Sequence, residues 1–208
     1  FAAAQPVADQ NISRALSYVD SLEATGGTEM KEALHLALNG GTHLKWVRQV
    51  VFLTDGNISN ERQLFGIIHK RLGDSRLFTV GIGSAPNSFF MRKAAQFGRG
   101  TFTYVGNTSE VEAKMNELFS KLETPVMTHL NISWPAGVVA DMWPRRLPDI
   151  YHGDPLIIKA RLNKAEGEAI VTGRVADSLW RSRLDLTPAV NDKGVGVLWA
   201  RAKIAALM

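Results

Sequence analysis

Hydrophobic positions change their spacing near residue 125, and the change divides the chain into two predicted architectures. Ile12, Leu16, Val19 and Leu22 recur at helical spacing and predict an amphipathic helix over 10–22 that must cover something larger. After the loop Ala24-Thr25-Gly26-Gly27-Thr28 a second helix is predicted, with Met30, Ala33, Leu34, Ala37 and Leu38 as its buried stripe, Thr28 as its cap and Gly40-Gly41 as its stop. Val50-Val51-Phe52-Leu53 is a short, wholly apolar, β-rich run closed by Thr54-Asp55-Gly56. That is the pattern of a strand buried on both faces, and it implies a parallel sheet. The alternation repeats with a helix through Leu64, Ile68 and Leu72, a strand over 77–82, a helix through Phe90, Ala94 and Phe97, and a strand over 101–105. A last helix is predicted over 109–122, with Val111, Met115, Leu118, Phe119 and Leu122 on one face and Thr108 or Ser109 as its cap. Strand and helix alternating in this way predict an α/β layered domain.

Past Glu123-Thr124-Pro125 the period falls to two. Val126, Thr128, Leu130, Ile132 and Trp134 are expected on one face, with Met127, His129, Asn131 and Ser133 on the other. Further alternating stretches at 156–162, 169–175 and 180–186, separated by Gly, Pro, Asn and Asp, predict a small antiparallel sheet or half-sandwich. Val197, Ala200, Ile204 and Leu207 then predict a C-terminal helix packed on that sheet. The predicted division is an α/β domain over 1–124 and a β-rich module over 125–208.

Composition narrows the chemistry. With 208 residues and 45% hydrophobic content the chain can bury one substantial core and a second, smaller unit. Its formal charge of +4 is spread evenly: 13 basic and 12 acidic residues up to Pro125, 11 and 8 beyond it. Neither half carries the basic patch that counterion release requires, so nucleic acid is not an expected partner. The absence of cysteine excludes disulfides, zinc–thiolate sites and cysteine nucleophiles. No apolar run approaches the roughly 20 residues that cross a bilayer, so no transmembrane segment is expected. The sequence opens at Phe1 without a Met and reads as an excised segment, from which any leader would be missing.

Ligands of open α/β sheets sit beyond the carboxyl ends of the strands, where Asp55 is placed and which the Thr28 hydroxyl can reach. A hydroxyl, a carboxylate and waters are hard oxygen ligands of the kind Mg²⁺ prefers. The competing reading makes Thr28 a helix cap and Asp55 the first residue of an Asp-Gly turn, with no ligand. Enzyme readings find little. Gly81-Ile82-Gly83-Ser84-Ala85-Pro86 follows a strand, but Pro86 stands at the third glycine position of a dinucleotide fingerprint. No phosphate-binding Gly-x-x-x-x-Gly-Lys-Ser/Thr and no Gly-x-Ser-x-Gly occurs, and the histidines at 35, 43, 69, 129 and 152 lack metal-ligand spacing. Trp134, Trp143, Trp180 and Trp199 are expected to pack in the core or between units, and Arg145-Arg146 to be a solvated pair.

Gly26-Gly27-Thr28-Glu29-Met30, Val50-Val51-Phe52-Leu53-Thr54-Asp55-Gly56 and Phe78-Thr79-Val80-Gly81-Ile82-Gly83 resemble, in order and spacing, successive motifs of von Willebrand factor A-type domains. Phe97-Gly98-Arg99-Gly100-Thr101 and Leu198-Trp199-Ala200-Arg201-Ala202-Lys203-Ile204 are similar to the inter-alpha-trypsin inhibitor heavy-chain-like branch, which includes bacterial surface proteins described as sortase targets. The resemblance covers residues 1 to about 125 firmly and the rest more loosely. It implies a three-layer, Rossmann-like α/β domain and a non-enzymatic adhesion module at the cell surface or outside the cell. A metal-ion-dependent adhesion site would hold Mg²⁺, or Ca²⁺ or Mn²⁺, and bind a protein ligand through an acidic group. Carried over, the second-loop threonine is Thr28 and the third-loop aspartate is Asp55.

The chain departs from that family in having no Asp-x-Ser-x-Ser, the opening strand and loop that supply the remaining ligands. Two protein oxygens hold Mg²⁺ poorly, so a weak or empty site is expected in these residues. The opening strand lies beside the one over 50–53, so an apolar strand edge is expected to be open to homodimerisation. The alternative is a metal-independent structural or protein-interaction scaffold.

Overall fold

The computed structural model describes residues 5–23, 29–39, 47–55, 60–83, 86–123, 125–151, 154–176, 178–188 and 193–207. The chain forms two compact units, Phe1–Met30 and Lys31–Met208. The first contains helix α1 (Asp9–Asp20), opened by Asp9 at the positive end of its dipole and closed by the Ser21 hydroxyl donating to the Tyr18 carbonyl. None of its residues is buried.

The next helix is α2 (Met30–Ala37); Leu34 within it and Leu38 directly after it are buried one turn apart. Its expected cap, Thr28, and stop, Gly40-Gly41, lie outside the described residues. Then come β1 (Gln49–Thr54), α3 (Glu61–Arg71), β2 (Arg76–Ile82), α4 (Ser88–Phe97), β3 (Arg99–Val105), a 3-10 turn (Thr108–Glu110) and α5 (Val111–Glu123). The three strands form a parallel sheet ordered β1-β2-β3. Central β2 is buried along its length except at Ile82, whereas β1, paired on one side among the described residues, is half-exposed.

Alternation along β2 builds the layers. The Thr79 hydroxyl faces α4 and donates to the Met91 carbonyl at 2.9 Å, so a fully buried polar group is satisfied. Its neighbours Phe78 and Val80 point the other way, into a cluster with Val105 of β3 and Leu118 of α5. α4 buries Phe90, Met91, Ala94 and Ala95, and α3 packs on it through Phe65, whose ring lies 4.8 Å from that of Phe90. The expected three-layer α/β arrangement is observed. The cap before α5 differs from expectation: Asn107, not Thr108 or Ser109, turns its carboxamide oxygen to the Ser109 amide at 3.0 Å. An Asx side chain bonds the backbone two residues on more strongly than a Ser or Thr hydroxyl does.

At Pro125 the helical layer gives way to strands: β4 (Pro125–Ser133), β5 (Ala140–Trp143), β6 (Ile150–Tyr151), β7 (Lys159–Leu162), β8 (Glu168–Val175) and β9 (Ser178–Asp185). They form an antiparallel sheet ordered β6-β4-β8-β9 and a β5-β7 ribbon. The strict alternation expected over 126–134 fails at a bulge. Thr128 and Asn131 pair with Arg174 and Thr172, three steps on β4 against two on β8, and His129 takes φ 53°. The extra residue shifts the phase, so Met127 shares a face with Leu130: a Cβ at Gly173 would lie 2.7 Å from the former and 3.0 Å from the latter. Met127 is therefore buried, not paired with the outward His129 and Asn131.

α6 (Lys193–Leu207) packs on the ribbon through a stripe other than the expected one. Val197, Ile204 and Leu207 are exposed, while Trp199 donates its indole N–H to the Asp141 carbonyl at 2.8 Å and Lys203 reaches the Asp141 carboxylate at 2.6 Å. That ammonium hydrogen bond holds the Asp141 carboxyl below its ordinary range. Trp143 is buried as expected, but Trp180 stands on edge strand β9 and is exposed.

Candidate functional site

The two ends of the parallel sheet use their polar residues differently. At the amino-terminal end, β2 and β3 each open with a buried arginine, Arg76 and Arg99. Arg76 Nε donates to the buried carboxylate of Asp149, on the segment before β6, and its Nη1 to the Asp74 carbonyl. Arg99 Nη2 donates to the carbonyls of Gly73 and Ser75 at 3.3 and 3.4 Å. Glycines on either side hold Arg99 in place: a Cβ at Gly98 would lie 2.4 Å from Leu77 Cβ, and one at Gly100 2.3 Å from the Leu77 carbonyl oxygen. Pressed onto β2 in this way, the Gly-Arg-Gly step gives Arg99 a φ of 59°. Burial, then the like charges of Arg76 and Arg146, lower the Arg99 pKa from its ordinary value.

Beside this cluster Tyr151 of β6 enters the core, its ring edge-on to Phe78 at 5.5 Å. Its buried hydroxyl makes no well-formed hydrogen bond, with Gln49 as its polar neighbour, and burial, reinforced by the Asp149 charge, pushes its pKa up to about 12. Asp149 and Tyr151 thus carry the β-rich half into the base of the α/β half, so two different architectures share one core.

At the carboxyl end most polar groups are committed to the backbone. The Tyr104 hydroxyl donates to the Gly83 carbonyl at 2.9 Å, closing β2 against β3. The Glu110 carboxylate accepts from the Gly106 amide at 3.0 Å, and Asn87 caps α4 by accepting from the Phe90 amide at 3.1 Å while its amide donates to Glu61. Asp55, directly after β1, is the exception: it is exposed and makes no hydrogen bond or ion pair with any described residue. Thr28 and Gly56, the other members of the expected pair and turn, lie outside the described residues.

Among the described residues no group of three or more His, Cys, Asp or Glu side chains is placed to hold a metal ion. One exposed carboxylate is too small a donor set for Mg²⁺, so a cation at this edge would need further oxygens besides Asp55.

From the same edge a groove of about 1150 Å³ runs along α3 and α4 to the Trp143–Arg146 turn. Phe89, half-exposed, and Phe97, stacked with His69 at 3.8 Å, form its apolar floor, with Lys93 4.8 Å over the Phe89 ring. Arg145 and Arg146, expected to be merely solvated, lie over Trp143 and Phe97 at 4.8 and 5.9 Å, and Arg145 pairs with Asp141 at 3.1 Å. Sequence reasoning missed this groove and the Arg76–Asp149–Arg99 cluster. The available signal was Phe97-Gly98-Arg99-Gly100, where two glycines around one arginine mark a tight backbone approach. No helix among the described residues is long and apolar enough to cross a membrane.

A family model described as von Willebrand factor type A domain matches residues 1–104, half of the chain. A von Willebrand factor A domain-containing protein of Dictyostelium discoideum is 28% identical over 167 residues, 79% of this chain and 18% of that protein. Inter-alpha-trypsin inhibitor heavy chain H2 of Sus scrofa is 22% identical over 172 residues, 76% of this chain and 18% of that protein. Among solved structures, von Willebrand factor type A from Catenulispora acidiphila aligns with a TM-score of 0.61 at 18% identity, covering 86% of this chain and 51% of that one. At that identity the likeness is one of fold. The chain spans about a fifth of the length of these curated relatives.

Proposed function

The chain belongs to the von Willebrand factor type A domain family, and we propose that it is a non-catalytic binding module whose ligand face is the carboxyl edge of the β1-β2-β3 sheet. Domains of this family are typically adhesion and protein-interaction modules. The observation that carries the reading is Asp55: an exposed carboxylate at the end of a core strand, unpaired among the described residues and thus available to a ligand. Asp55 and the Thr28 hydroxyl would contribute oxygens to a divalent cation, preferably Mg²⁺, whose remaining ligands come from an Asp-x-Ser-x-Ser segment and from an acidic group of the protein ligand. A bound cation supplies there a point of charge that a partner carboxylate completes. Domains of this family are often extracellular, which supports a place outside the cell or on its surface. The edge of β1, paired on one side among the described residues, offers a second copy of the chain a strand to join.

The second reading, a metal-independent interaction scaffold, is favoured by Asp55 standing as a lone carboxylate. A thermal melt with and without millimolar Mg²⁺ separates the two, run on this chain and on a version supplied with an Asp-x-Ser-x-Ser strand. Stabilisation of the supplemented version alone, lost in Asp55→Ala, is the expected result. Equal melting with and without Mg²⁺ in both would assign Asp55 to the backbone turn and the binding face to another surface.

A further inference from the structure

A second cavity, of about 260 Å³, opens between the start of β3, the β4 bulge and the turn after β5. Its polar lining is Arg99, His129, Asn131, Arg145, Arg146 and Asp149. The charges there do not balance. Two guanidinium groups, Arg76 and Arg99, are buried in its wall and beneath it, and the buried carboxylate among them, Asp149, is bonded to Arg76. The other carboxylate near Arg99, Asp74, stands 4.0 Å away with its side chain 67% exposed, where solvent screens it. Arg145 is paired with Asp141, and Arg146 adds a further exposed cation beside the cavity.

Donors are also left over. Arg99 Nε and Arg76 Nη2 are buried with no hydrogen-bond partner, although a buried guanidinium is costly unless its charge and its N–H groups are both met. A charge deficit, an unused buried donor on a residue that lines the cavity and a second arginine in the same lining form the arrangement that captures an oxyanion. The crowding is visible in Arg99 itself, whose protonated form burial and the two neighbouring arginines disfavour.

We propose that this cavity is a binding site for a compact oxyanion, a phosphate or carboxylate group, held by Arg99 within and Arg146 at the side. Its volume of about 260 Å³ holds a compact oxyanion together with bound waters. The site is independent of Asp55 and of any cation at the other end of the sheet, so the two proposals fail separately.

The test is calorimetric titration of the 208-residue chain with inorganic phosphate and with acetate at constant ionic strength, each against chloride. Saturable binding of one oxyanion is expected, with phosphate or acetate preference assigning the class. Exposed Arg146→Gln should weaken it about tenfold, the scale of one charge-assisted contact, while Arg146→Lys, which keeps the charge without the fork, should fall between. A Lys164→Gln control, outside the cavity lining, should bind as the unsubstituted chain does. Absence of saturable binding by both anions, or equal binding by Arg146→Gln and the unsubstituted chain with circular dichroism showing both folded, would overturn the proposal.

Discussion

The amino-terminal and carboxyl ends of one three-stranded sheet hold charge in opposite ways. At the amino-terminal end Arg76, Arg99 and Asp149 are buried, bonded to one another or to carbonyls, and joined by Tyr151 in uniting two architectures. At the carboxyl end Asp55 is exposed and uncommitted among the described residues. A charge that the fold uses is locked by burial and cannot readily serve a macromolecular ligand; a charge that the fold leaves alone can. On the proposed function, the contrast sets an end that builds the core, with room for a compact anion, against an end that meets a protein ligand, and it makes quantitative demands.

The largest effect is expected at Asp149. Asp149→Ala strands Arg76 as an uncompensated buried charge and should cost about 3–5 kcal/mol in urea unfolding. A loss within the range of an ordinary surface substitution would dissolve the distinction between the two ends.

Next comes Tyr151 in alkali. Its folded pKa of about 12 lies above the unfolded value of 10.0, so between those pH values the unfolded chain releases a proton that the folded chain keeps. The stability difference is therefore fully present below pH 10 and is lost as pH rises towards 12, by about 2–3 kcal/mol. Tyr151→Phe should remove that part of the alkaline loss and change neutral-pH stability little, since the buried hydroxyl it deletes makes no well-formed hydrogen bond. Parallel alkaline unfolding curves for the two proteins would contradict this.

Gly100→Ala sharpens the comparison further, because its new Cβ meets a backbone carbonyl that cannot swing aside. Overpacking of this kind should cost about 1–3 kcal/mol, read as a shift of the urea midpoint at constant slope. Asp55→Ala should be the smallest, below about 0.5 kcal/mol, because no described contact is lost.

How much of this the sequence displays depends on how local its cause is. Strands β1 and β2 are legible because each carries a dense apolar run, and β3 because residues 101–105 are β-branched and aromatic, all between helical repeats; the position of Asp55 follows from the end of the first. Arg76 and Arg99 are not legible as core residues, since an arginine at a strand's start reads as a solvated end until Asp149, 73 residues from Arg76, arrives beside it. The β4 bulge is hidden for a different reason. Val126 to Trp134 alternate plausibly throughout, and the phase slip that buries Met127 is a property of pairing with β8. α6 is apolar on several sides, so its periodicity does not choose a face; the Trp199 bond to the Asp141 carbonyl does. The pairing of Asp55 with Thr28 rests on the family resemblance, and Thr28 lies outside the described residues.

The most direct test of the carboxyl edge as the recognition face is Mn²⁺-induced broadening of backbone amide signals in the 208-residue chain, which reports even weak cation contact. The prediction is broadening centred on the carboxyl ends of β1 and β2, around Asp55 and Gly83, that disappears in Asp55→Ala while urea stability is unchanged. Broadening centred elsewhere, or surviving the substitution at full strength, would contradict it.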